Sequence, residues 1–214
     1  MGINVLHMAI SLVFHKTEED LTGRSKWWGF PDMPDGLEYP EVPLDEDYGD
    51  PLTFICQIRC EDLASLDPSG MLPHEGMLYF FAALDYFLGD IDTACSPGMG
   101  EWEAPYFKVL YSADCNDLHT HTVIYDDGTP ACRPAEAITF EECSDGDDST
   151  RLLGKPYLQE INEQYPEYVS LLQIDENDDW GLRFYDCGML CMLLLPDDLR
   201  QHQFQYTKCY LHSF

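Results

Sequence analysis

Positive charge is scarce in this sequence, with 11 Lys and Arg against 40 Asp and Glu, for a formal charge of -29 and a pI near 4.1. That deficit argues against nucleic acid and anionic membrane surfaces as direct partners, because phosphate binding draws its affinity from basic side chains that displace counterions. Long apolar runs are absent as well. With no stretch of about 20 apolar residues, no transmembrane helix is expected. Residues 3–14 (INVLHMAISLVF) are apolar, but no basic segment precedes them and Lys16-Thr17-Glu18-Glu19-Asp20 follows where a small-residue cleavage site would stand. No signal peptide is expected. Serine nucleophile elbows, phosphate-cradling glycine loops and dinucleotide fingerprints are missing. Carboxylate pairs are too numerous to single out an acid and a base. No cofactor is expected, the catalytic residues stay unassigned, and an enzyme is the less favoured reading.

A disulfide framework is also lacking, since nine cysteines is an odd number without regular spacing. Reduced thiols and a cytoplasmic location are the expectation. What the chain does have is apolar material, with 45 % hydrophobic and 13 % aromatic residues over 214 positions. A chain of this length buries roughly 70 to 75 % of its unfolded surface, enough for one domain spanning 1–214. The excess acid reads as a solvated surface, and a basic protein is the partner it suits.

Strands are expected at 52–58, 76–84, 106–111, 168–174 and 188–195, where apolar and β-branched residues run together between turn signals. Residues 3–14 suit either helix or strand, and 119–125 make a weaker strand ending at Asp126-Asp127-Gly128. Short helical turns are expected at Glu61–Leu66 and from Pro196, with a helix within 157–167. Pro34, Pro40, Pro43 and Pro51 make the segment between them an extended loop over a core. Residues 141–148 have the composition of a solvated linker.

Three signatures recur in one order. Gly29-Phe30-Pro31 answers Gly154-Lys155-Pro156, Gln57-Ile58 answers Gln173-Ile174, and Gly76-Met77-Leu78 answers Gly188-Met189-Leu190. The ordered set points to an internal duplication with halves at about 25–140 and 150–214, packed as one body. The fold class expected is mainly β with minor α, with α+β as the alternative.

The stretches Ser25 to Pro34, Leu52 to Ile58 and Leu72-Pro73 to Phe81 resemble the YwqG-like family, a bacterial domain of unknown function. So do Leu153 to Pro156, Leu171 to Ile174 and Asp186 through Leu199. The resemblance implies a mainly β, internally duplicated fold and carries over no catalytic residues.

Several constellations suggest sites. Gln57 and Gln173, each inside an apolar strand, either bond backbone or line a pocket between the halves with Trp28, Trp180 and Asp186. Trp27 and Trp102 suit either that pocket or the core. Residues 175–181 resemble part of a calcium loop, making Asp175, Asn177 and Asp179 weak metal candidates. Trp180 stands where that motif needs Gly, so a turn between strands is favoured and no metal is expected. His119-Thr120-His121 puts two imidazoles on one strand face without a third ligand. Cys56, Cys60, Cys187 and Cys191 read as buried core thiols, since strand spacing keeps the members of each pair too far apart to chelate an ion. The function favoured is a non-enzymatic protein-interaction module for a basic partner, and the alternative is an enzyme or small-ligand binder with a pocket between the halves.

Overall fold

The computed structural model describes residues 9–125 and 128–213. The Asp126-Asp127 part of the expected turn and residues 3–8 of the N-terminal stretch lie outside the described residues. Among the described residues fifteen strands follow in chain order: β1 (Ala9–Lys16), β2 (Lys26–Trp27), β3 (Asp32–Met33), β4 (Glu41–Pro43), β5 (Gly49–Pro51), β6 (Thr53–Arg59), β7 (Met77–Ala82) and β8 (Gly100–Trp102). The rest are β9 (Phe107–Ser112), β10 (His119–Thr120), β11 (Glu136–Cys143), β12 (Arg151–Leu152), β13 (Val169–Asp175), β14 (Met189–Leu194) and β15 (Lys208–His212). The two α-helices, α1 (Gln159–Gln164) and α2 (Pro196–Arg200), run only six and five residues. The fold is mainly β.

Eleven strands make one antiparallel sheet in the order β8-β15-β14-β13-β12-β1-β11-β2-β6-β7-β9. Its middle is the eight-residue ladder of β1 with β11, in which Val13 faces Thr139. On one side Glu136 of β11 faces Trp27 of β2, and on the other Ile10 of β1 faces Leu152 of β12. Lys26 then faces Gln57 on β6 as Arg151 faces Gln173 on β13. Both β6 and β13 carry a bulge at the same place, between Phe54 and Cys56 and between Ser170 and Leu172. The two sides of the central ladder thus share one register pattern, and it takes in β1 and β11.

β7 and β14 explain their unbroken apolar runs, since both are buried on both faces. Leu78, Phe80 and Ala82 of β7 and Leu190, Met192 and Leu194 of β14 face the main core. The opposite side chains Met77, Tyr79 and Phe81 lie under the proline-rich loop with Met33, Val42 and Leu52. Those of β14, Met189, Cys191 and Leu193, lie under α1 with Leu158 and Ile161. Each such large apolar side chain taken from water contributes about 1.5 to 3 kcal/mol.

Two expectations are corrected. Residues 141–143 end strand β11 rather than belonging to a linker, because they continue the ladder with β1, where Glu141 faces Ser11 and Cys143 faces Ala9. Cys187 is exposed, standing in the turn before β14 with a φ of 57°, so it is no core thiol. All nine cysteines are free. No helix among the described residues is long and apolar enough to cross a membrane.

Candidate functional site

The two glutamines are hubs of backbone, not walls of a pocket. Gln57 Oε1 accepts from the Asp32 N–H at 2.7 Å, and its Nε2 donates to Arg24 O and to Asp32 Oδ2, both at 2.9 Å. Gln173 Oε1 accepts from the Tyr157 N–H at 2.9 Å, and its Nε2 donates to Ser149 O at 3.1 Å. Both amides are fully buried, where an unmade bond would cost about 1 to 3 kcal/mol, so each is spent on fixing a loop.

Beside each hub sits a buried cation. Lys26 Nζ meets Asp32 Oδ2 at 2.7 Å, and Asp32 also accepts from Gly23 N–H and the Thr120 hydroxyl. Burial pushes the Asp32 carboxyl up, but the Lys26 ammonium and those hydrogen bonds outweigh it and hold the group below the usual carboxylate range. At the matching place on the other side, Tyr157 stands where Asp32 does. Arg151 instead donates to the carbonyls of Asp145, Asp147, Leu153 and Lys155, and to Gln173 Oε1.

The expected pocket residues separate. Asp186 lies at the far turn, where its N–H donates to Ser213 Oγ at 3.0 Å. Trp28 and Trp180 do meet, edge to face at 5.7 Å between ring centroids, in a cluster with Phe14 and Trp27. Trp27 stacks on Trp180 at 5.2 Å, while Trp102 stacks on Phe87 elsewhere. Where the end of β1, the turn after β2 and the β13–β14 loop converge, a cavity of about 340 Å³ is lined by Lys16, Trp28, Arg133, Glu136, Asp179 and Trp180. Glu136 Oε1 accepts from Trp180 Nε1 at 3.4 Å and orients that ring.

On the other side of Trp28 and Arg133 is a second cavity of about 200 Å³, reaching Thr53, Asp85, Asp90 and Tyr125. A third of about 220 Å³ shares Asp85 and Tyr125 and adds Tyr39, Tyr48 and Asp50. Together these two make a cleft walled by carboxylates and phenols. Asp85 accepts from the Thr53 hydroxyl at 2.7 Å, yet burial, with Asp50 and Asp90 adding like charge, raises its pKa. Among the described residues no Lys or Arg pairs with Asp50, Asp85 or Asp90, while six of the exposed cations pair with other acids.

A family model described as a domain of unknown function, DUF1963, matches residues 25–145. The chain belongs to this family. The DUF1963 match spans β2 through β11 and so holds Trp28, Asp85 and Arg133, whereas Trp180 comes from beyond it. No curated protein matches the chain.

The weak metal candidates are each held in contacts of their own. Asn177 bridges to Leu182 in a tight turn, Asp179 pairs with Lys16 at 3.3 Å, and Asp175 is a half-buried carboxyl raised by burial. His119 lies 3.6 Å from Asp35, while His121 stacks on Tyr39. No cluster of three metal-ligating side chains occurs among the described residues. The sequence reading passed over Asp85, Tyr125 and Arg133. One signal for Arg133 was there, as it is the single Lys or Arg between Lys108 and Arg151.

Proposed function

We propose that this protein is a non-enzymatic, cytoplasmic interaction module whose acidic cleft receives basic side chains of a partner protein. The observation that carries the reading is the meeting of Asp50, Asp85 and Asp90 with Tyr39, Tyr48 and Tyr125, with no Lys or Arg among the described residues paired to those carboxylates. Carboxylates held together at a cost are relieved by an incoming ammonium or guanidinium, and phenol faces attract the same groups. Tyr48, Ile124 and Tyr125 are more than half exposed at the rim, as suits a protein contact. The charge of -29 would speed encounter with a basic partner. The shared register on either side of the central ladder supports reading the chain as a YwqG-like domain with an internal duplication.

Calorimetric titration with a short lysine peptide tests the cleft. Binding is expected to weaken with salt, and Asp50→Asn with Asp85→Asn should lower affinity about tenfold. Removing two charges elsewhere, with Glu160→Gln and Glu163→Gln, should change it little. Equal losses from the two pairs would show a response to bulk charge alone and sink the cleft as a site.

The second reading, a small-ligand pocket between the halves, is favoured by the 340 Å³ cavity where Trp28 and Trp180 meet. Gln57, Gln173 and Asp186 take no part in it.

A further inference from the structure

The 340 Å³ cavity lies at a seam, where the end of β1, the turn after β2 and the β13–β14 loop join. The wall between this seam cavity and the acidic cleft is made by Trp28 and Arg133, which line the cavities on both sides of it. The Gly29 N–H donates to Arg133 O at 3.0 Å and holds the two segments together. Trp28 is only 2 % exposed, and its indole Nε1 has no hydrogen-bond acceptor. Arg133 Nε is in the same state. The Arg133 guanidinium donates to Leu88 O at 3.3 Å and pairs with no carboxylate among the described residues. Two buried N–H donors therefore stand unmet in one wall, a condition that proteins seldom leave uncompensated. Trp27 Nε1 shares the deficit but lines neither cavity. On the seam side the wall is continued by apolar surface from Trp180, Pro134 and Ala135, beside the carboxylates of Glu136 and Asp179. At about 340 Å³ the cavity falls at the lower end of ligand pockets, which run from roughly 300 to 1,000 Å³.

We propose that this cavity binds a small, flat, apolar molecule whose acceptor oxygen, a carboxylate or a carbonyl, is taken by the N–H groups of Trp28 and Arg133. The inference rests on the second reading above and adds the ligand's chemistry. The ring faces of Trp28 and Trp180 take the apolar body, and the guanidinium supplies a positive charge that no acid among the described residues pairs, whereas Lys16 is paired with Asp179.

The test uses three probes of one shape on the full chain: naphthoate, its neutral amide, and methylnaphthalene, which has no acceptor. Titration calorimetry gives the affinity, and nitrogen–proton correlation spectra follow the four indole N–H signals, with that of Trp28 assigned through Trp28→Phe. At least one of the two oxygen-bearing probes is expected to bind about tenfold tighter than methylnaphthalene and to move the Trp28 indole signal. Naphthoate alone points to a carboxylate ligand, and the amide alone to a neutral carbonyl. Arg133→Gln should remove that preference. The unmodified protein's indole shift stands as evidence even where the variant folds poorly. Equal binding of all three probes would keep the cavity and overturn the acceptor, whereas binding of none would overturn the ligand pocket itself.

Discussion

Lys26 and Asp32 form a buried ion pair, with side chains 6 % and 0 % exposed. Removing one partner strands the other, so Lys26→Met should cost about 3 to 5 kcal/mol in urea unfolding, and adding Asp32→Asn should recover part of it. Gln57→Leu leaves the Asp32 N–H and Arg24 O without partners and should cost about 1 to 3 kcal/mol for each group left dry. The acids differ in the sign of their pH dependence. Asp32 has a depressed folded-state pKa, so its contribution is present above the unfolded value and is lost as pH falls through the folded one. Asp85 and Asp175 have raised values, so their ionised forms cost stability, and that cost disappears as pH falls through the folded values. Stability measured from neutral pH downward should first rise slightly and then fall as Asp32 protonates. Asp85→Asn should shrink the rise while weakening the lysine-peptide binding, a pairing that a purely structural carboxylate would not produce.

At the scale of elements, the two short strands β2 and β12 end in the same way. Trp28 and Gly29 have φ of 58° and 74°, and Leu153 and Gly154 have 60° and 79°. Two left-handed residues in succession turn the chain off the sheet toward the loops that Gln57 and Gln173 tie down. A β-carbon at Gly29 would stand 2.8 Å from that of Ala135, on the segment that presents Arg133. Gly29→Ala should therefore cost about 1 to 3 kcal/mol and also disturb the wall between the cavities, which the Trp28 indole signal would report. β8 precedes β9 in the chain but pairs with β15 near its end, and the Arg183 N–H donates to Phe87 O at 2.9 Å, a second contact between distant segments. Near the sheet's other end, Phe204, in the segment before β15, packs on Tyr111 of β9. These contacts tie segments far apart in the chain to one another.

For the whole molecule the dominant long-range term is self-repulsion. Of the eleven cations Lys26 and Arg151 are buried, as are Asp32, Asp67 and Glu136 of the forty acids, so acid still far outnumbers cation on the surface. Added salt screens that repulsion, with a Debye length falling from about 30 Å at 0.01 M to about 8 Å at 0.15 M. The melting temperature should therefore rise with sodium chloride, by about 2 to 4 °C for each kcal/mol of repulsion removed. A melting temperature flat in salt would mean that the acids are spaced too far apart to matter.

Local sequence by itself determined the strands buried on both faces, β6, β7, β13 and β14, because an unbroken apolar run bounded by turns has few other uses. It also marked the two glutamines, as polar groups inside apolar runs, and the glycine-proline turns, whose chemistry is local. β11 escaped notice because it ends in exposed acids, Glu141 and Glu142, that read as a loop, and β8, β12 and β15 because two to five residues hold little periodicity. Their strand character comes from the neighbour they pair with. The candidate sites were decided by tertiary structure alone. Trp28, Arg133 and Trp180 lie far apart in the chain, as do Asp50, Asp85 and Tyr125, and only the crossing of loops over the seam brings each set within reach of one ligand.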